Sequence, residues 1–82
     1  MTNVIGLKKT IPKPCFLDNC ESIGAFSGER RWRSHDGERI YTWDALHGEI
    51  EVFNKRGRHI AVLDKDGIPN GKGAVKGRSI DV

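Results

Sequence analysis

The fold class predicted by this sequence is α+β: a short helix near the N-terminus, then an antiparallel sheet of about four to five strands. Three observations predict it. Eighty-two residues that are 37% hydrophobic supply one small core and are too few for two domains or a Rossmann or barrel enzyme. After Ser27 the apolar period shifts from about 3.6 residues toward 2. From there Gly, Asn and Asp turns recur at the roughly eight to twelve residue spacing of a meander.

The elements follow in chain order. Residues 1–14, MTNVIGLKKTIPKP, contain two prolines and a Lys-Lys pair and read as an irregular lead-in or linker. Residues 15–82 form the single domain. Over Cys15–Phe26, Phe16, Cys20 and Ile23 fall near helical spacing, Asp18 and Asn19 can cap, and Gly24 can close, which predicts the helix. Arg30–Ser34 is the first strand and His35-Asp36-Gly37 a turn. Glu38–Trp43 is rich in β-formers. Glu49–Asn54 and His59–Asp64, joined by Lys55-Arg56-Gly57, read as a hairpin. The apolar run Ile60–Leu63 predicts a strand covered on both faces. A Gly-rich loop through Asp66-Gly67 and Pro69-Asn70-Gly71 leads to a final edge strand at Ser79–Val82.

Charge is unevenly placed. The net +3 averages a first part, residues 1–52, with seven Lys or Arg against eight acids, and a last part, residues 53–82, with seven against three. A basic half of this kind points to a polyanion, most commonly nucleic acid. No stretch approaches the roughly 20 apolar residues of a membrane span, and the N-terminus lacks an apolar signal core. Cys15 and Cys20, spaced C-x4-C, have no second pair and no local His to complete a zinc site. Whether they pair or stay as thiols is left open by the sequence.

Asp44, His47, Glu49 and Glu51 lie within eight positions. If Glu49–Phe53 is a strand, Glu49 and Glu51 share one face about 7 Å apart, while Ile50 and Val52 turn to the core. His47 precedes the strand with the same parity, and Gly48 lets the chain change direction between them. Two carboxylates and an imidazole on one face can act as general acid and base. They suit RNA cleavage without metal, in which a base takes the 2′-OH proton, the oxygen attacks phosphorus, and an acid protonates the departing 5′-oxygen. A nearby cation, Arg78 among the candidates, stabilises the phosphorane. The plain alternative is a set of solvated acids on an outer sheet face. A divalent ion on one His and three carboxylates is a second alternative, but a metal nuclease normally adds a second His or a dedicated Asn, so no metal and no cofactor are expected. His35 reads as a turn residue and His59 as a strand-edge residue. Trp32, Tyr41 and Trp43 read as core rings.

The run Arg31-Trp32, Asp36-Gly37-Glu38-Arg39-Ile40-Tyr41, Trp43-Asp44, His47-Gly48-Glu49-Ile50-Glu51 resembles the cytotoxic ribonuclease domain of the ribosome-inactivating colicins and cloacin, also found at the C-termini of contact-dependent inhibition toxins. The likeness continues through Gly57-Arg58-His59, Asp64, Gly67 and Lys76-Gly77-Arg78-Ser79-Ile80, and the lead-in from Gly6 to Lys13 is similar. Leu46 stands where that family has a polar residue. The resemblance implies a helix packed on a strongly twisted antiparallel sheet, and cleavage of 16S ribosomal RNA at the decoding site of the small subunit. It implies Asp44, His47, Glu51 and Arg78 as catalytic residues, with Glu51 as base, His47 as acid, Asp44 orienting His47, and Arg78 on the phosphate. Glu49, Tyr41, Arg58 and Lys76 become accessory or RNA-holding groups. It further implies export as the C-terminal part of a larger toxin, action in the target bacterium's cytoplasm, and an acidic cognate immunity protein as partner. Transfer or messenger RNA as substrate, and a non-catalytic RNA-binding module, are the competing readings. Three acids beside a His would repel RNA and serve a pure binder poorly.

Overall fold

Each strand of the chain pairs with the one that follows it. A computed structural model describes residues 8–82, and in it β1 (Glu21–Phe26), β2 (Glu29–Arg33), β3 (Arg39–Asp44), β4 (Glu49–Asn54) and β5 (His59–Leu63) form one antiparallel sheet in the order β1-β2-β3-β4-β5. The last four match the predicted strands to within about two residues at either end. Turn chemistry explains where they stop. Asp36 accepts the Ser34 hydroxyl at 2.6 Å and the Glu38 N–H at 2.9 Å, and Asn54 accepts the N–H groups of Arg56 and Arg58 at 2.9 and 3.0 Å. These are side chains closing turns on their own backbone.

The helix expected over Cys15–Phe26 is not there. Only a four-residue 3₁₀ turn forms, Phe16–Asn19, and Cys20 is already extended. Asp18 accepts the Cys15 N–H at 2.8 Å and closes the turn on itself, a local alternative to helix propagation. Glu21–Phe26 instead pairs with β2 across a two-residue loop, Ser27-Gly28, in which both residues have positive φ, 53° and 80°. That is the hairpin geometry that fits strand twist, and strand pairing outweighs the weak helical spacing. Residues 1–7 of the expected lead-in lie outside the described residues; residues 8–14 carry neither helix nor strand.

Register sorts the side chains onto two faces. Trp32, Tyr41, Ile50 and Val52 line one face with Cys15 and Leu17 packed over them, and this is the core. Burying each large apolar group there contributes about 1.5–3 kcal/mol. The opposite face carries Arg31, Thr42, Glu51 and Phe53, all buried. Ile50 and Val52 thus face inward and Glu49 and Glu51 outward, as strand parity predicts.

That second face is covered by the C-terminal segment, which runs across it without forming a strand. Val75 N–H donates to His59 Nδ1 at 2.9 Å, His59 N–H to Arg78 C=O at 3.0 Å, and Ile80 N–H to Gly57 C=O at 2.8 Å. The Arg31 guanidinium donates to Asp81 C=O. The final strand expected at Ser79–Val82 reduces to a single bridge between Ser79 and Arg58. The segment has three glycines and no apolar run to bury, and Val82 is 68% exposed. Among the described residues no helix is long and apolar enough to cross a membrane. Cys15 and Cys20 are free thiols, and burial pushes the Cys20 thiol up.

Candidate active site

The turn between β3 and β4 is built by Asp44. Its Oδ1 accepts the backbone N–H groups of Leu46 and His47 at 3.0 and 3.1 Å, and its Oδ2 lies 2.7 Å from His47 Nδ1. One carboxylate thereby shapes the turn and orients the ring, and Nε2 is left facing outward on a side chain that is 55% exposed. Burial pushes the Asp44 carboxyl up, but the His47 ring and the two N–H donors outweigh it and hold the group below the ordinary carboxylate range. Gly48 closes the turn with φ +68° and donates its N–H to Asp44 C=O at 2.7 Å.

Glu51 sits opposite, in the middle of β4. Its Oε1 is 2.7 Å from His59 Nε2 and 3.1 Å from Arg78 Nη1, while its side chain is 5% exposed. His59 Nδ1 accepts the Val75 N–H, so the hydrogen-bond network assigns the ring proton to Nε2, which donates to Glu51. Among the described residues no hydrogen bond uses Glu51 Oε2. Asp44, His47, Glu49, Glu51 and Arg78 all line one cleft of about 150 Å³. A cleft of this size takes a phosphate group but not a whole nucleotide.

Glu49 shares the cleft in a different capacity. Its Oε1 accepts from Lys72 Nζ at 2.9 Å and its Oε2 from Asn70 Nδ2 at 2.7 Å, so it anchors the loop that leads into the C-terminal segment. Asp44, His47 and Glu49 offer three ligand atoms within 4.8 Å of one another. Both oxygens of each carboxylate are already engaged, however, and the Lys72 ammonium supplies the positive charge a cation would bring.

Three of the expected RNA-holding residues are placed elsewhere. Tyr41 is 5% exposed on the core face, where its ring meets Phe16 edge-on at 5.3 Å; alternation along β3 turns it away from Asp44 and Thr42. Tyr41 as a contact for substrate is therefore corrected to a core residue. Arg58 and Lys76 line a larger cavity of about 510 Å³ that shares only His59, Val75 and Arg78 with the acids' surroundings. They flank the site and do not enter the cleft.

His59 is the residue the sequence reading missed. An uninterrupted hairpin register would pair Phe53 with Ile60 and turn His59 to the core face. Instead Val52 pairs with Ala61 and Phe53 with His59. Ile60 is the extra residue of a bulge, and the bulge brings His59 round to Glu51, the re-aiming for which bulges are known. Period-2 counting cannot reveal it.

A family model described as Cytotoxic matches residues 20–81, a span that includes the whole sheet, Asp44, His47, Glu49, Glu51, His59 and Arg78. No curated protein matches the sequence.

Proposed function

The chain belongs to the Cytotoxic family, and from that membership together with the geometry of the cleft we propose that this toxin domain is a metal-independent endoribonuclease cutting 16S ribosomal RNA at the decoding site of the small subunit. The observation that carries the reading is the pairing, in one cleft, of an Asp-oriented imidazole with an outward Nε2 and a carboxylate held by His59 and Arg78.

Glu51 accepts the proton of a ribose 2′-OH through Oε2. The 2′-oxygen then attacks the adjacent phosphorus, forming one P–O bond as the bond to the 5′-oxygen breaks. Negative charge grows on the phosphorane oxygens, where Arg78 is placed to meet it. His47, protonated on both nitrogens, gives its Nε2 proton to the departing 5′-oxygen, with Asp44 holding the other N–H. The products are a 2′,3′-cyclic phosphate and a 5′-hydroxyl. Arg58 and Lys76 flank this cleft and carry charge for the RNA backbone.

The same reading makes the domain the C-terminal effector of a larger exported toxin, acting in the cytoplasm of the target bacterium. Its producer then needs protection, and an acidic immunity protein complements the basic C-terminal half. Primer extension on ribosomal RNA from ribosomes treated with the purified domain tests the proposal. One stop in the decoding site of 16S RNA, present with EDTA and absent for His47→Ala, is expected. Intact ribosomal RNA with cleaved transfer or messenger RNA moves the substrate, and binding without any cleavage leaves a non-catalytic module.

A further inference from the structure

The cleft of about 150 Å³ has room for one phosphodiester, which leaves the nucleosides on either side of it outside. A second groove, of about 440 Å³, opens from the same acids: it shares Asp44, His47, Glu51 and Arg78 with the cleft and continues past Trp43 and Leu46 to Lys8 and Glu29. We propose that this groove is the subsite for the leaving nucleotide, with Leu46 against its base or sugar and Lys8 on its 3′-phosphate.

The inference rests on the cleavage reading, because the roles of His47 and Glu51 orient the RNA. His47 protonates the departing 5′-oxygen, so the nucleoside bearing that oxygen lies on the His47 side. Leu46 is the neighbour of His47 in the turn and is 61% exposed. Among the described residues this apolar side chain beside two polar groups stays largely uncovered, and a nucleoside face is a surface it can pack against. Trp43 and Ala45 extend the apolar wall.

Lys8 is held at the far end by the arm that carries it. Lys9 N–H donates to Ala45 C=O at 2.8 Å, and Trp43 Nε1–H donates to Lys9 C=O at 2.9 Å. The Lys9 stem crosses Gly48 so closely that a Cβ there would meet its Cδ at 2.8 Å. The arm is thus bonded to Trp43 and to the turn through both backbone groups of Lys9, and the exposed Lys8 lines the groove. A single ammonium at the end of an apolar channel suits a phosphate. Glu29 offers an acceptor to an exocyclic amino group, which favours adenine, guanine or cytosine over uracil.

The full chain is tested with a dye-labelled 2′-O-methyl hexaribonucleotide, which binds but cannot be cut, and with a cleavable hexaribonucleotide of the same sequence. Lys8→Ala is expected to weaken binding about three- to tenfold at low salt and to flatten the log–log salt slope by about 0.7, one phosphate contact on a single strand. Lys8→Arg should retain both, and Lys65→Ala, whose ammonium already meets Asp66 at 3.1 Å, should match wild type. Leu46→Asn should raise KM for the cleavable strand about fivefold and leave kcat within twofold. Wild-type binding by Lys8→Ala, or an equal loss in Lys65→Ala, overturns the subsite. If wild type binds the 2′-O-methyl strand through Lys8 and cuts nothing, the cleavage reading has failed, and the assignment of this groove to a leaving nucleotide falls with it. Cleavage that is indifferent to Lys8 and Leu46 sinks the subsite alone.

Discussion

His59 donates its Nε2 proton to Glu51 Oε1 at 2.7 Å, and its other nitrogen is occupied by the Val75 N–H at 2.9 Å. Both partners of this contact are sealed, His59 being 2% and Glu51 3% exposed. A buried carboxylate without such a donor is costly. His59 therefore ties Glu51 both to the sheet and to the segment that carries Arg78.

His59→Ala should fall in two measurements at once. Removing the His59 donor leaves Glu51 with Arg78 alone and destabilises the domain by about 2 kcal/mol in urea titration, and loss of the aim of Glu51 lowers kcat by about 10²-fold or more. His59→Gln, which keeps a donor near the Nε2 position, should recover a large part of the stability. If His59→Ala unfolds no more readily than wild type, the buried contact does not hold the site.

Acid should weaken the fold in a defined window. The Asp44 carboxyl is held below its ordinary value, so its stabilisation is complete above about pH 4 and is lost as pH falls through the lowered value. Asp18 and Asp36 have the same sign, Asp18 chiefly through the Cys15 N–H and Asp36 chiefly through the Ser34 hydroxyl. Asp44→Asn should be about 1 kcal/mol less stable than wild type near pH 7 and should converge on it once the pH has fallen below the lowered Asp44 value. Urea midpoints across that range decide it; parallel curves for the two proteins count against the assignment.

Chelation separates the two acids of β4. Glu49 spends both oxygens on Asn70 and Lys72, whereas Glu51 has one oxygen without a hydrogen bond among the described residues. EDTA should leave cleavage unchanged, Glu49→Gln should cost no more than about threefold, and Glu51→Gln should cost about 10²-fold or more. Activity that vanishes with EDTA and returns with a divalent ion would instead make Asp44, His47 and Glu49 a metal centre.

Strand parity was enough to read β2 through β5 and to put Ile50 and Val52 on one side and Glu49 and Glu51 on the other, because turn residues mark the strand ends. It failed at two places for one reason: each is decided by a partner distant in sequence. Helical spacing of Phe16, Cys20 and Ile23 lost to pairing of β1 with β2. His59 reached Glu51 only through the bulge at Ile60. Nor does composition foretell that Lys9, in a stretch with two prolines nearby, docks on the turn that holds His47.

Gly48 is where these local and distant demands meet. Its φ of +68° suits glycine, and the space above it is filled by the Lys9 stem. Gly48→Ala should cost about 1 kcal/mol through the backbone alone. The flexible Lys9 side chain can move aside, so the fold survives, but the arm bonded to Ala45 and Trp43 shifts with it. KM for a cleavable hexaribonucleotide should then rise several-fold more than stability loss explains, because His47 and Lys8 are displaced together. Gly48→Asn, which tolerates positive φ better but still carries a Cβ, separates the two effects: it should recover stability and keep the raised KM. Recovery of both would show that only backbone strain matters and that the arm's docking at Gly48 is incidental to substrate binding.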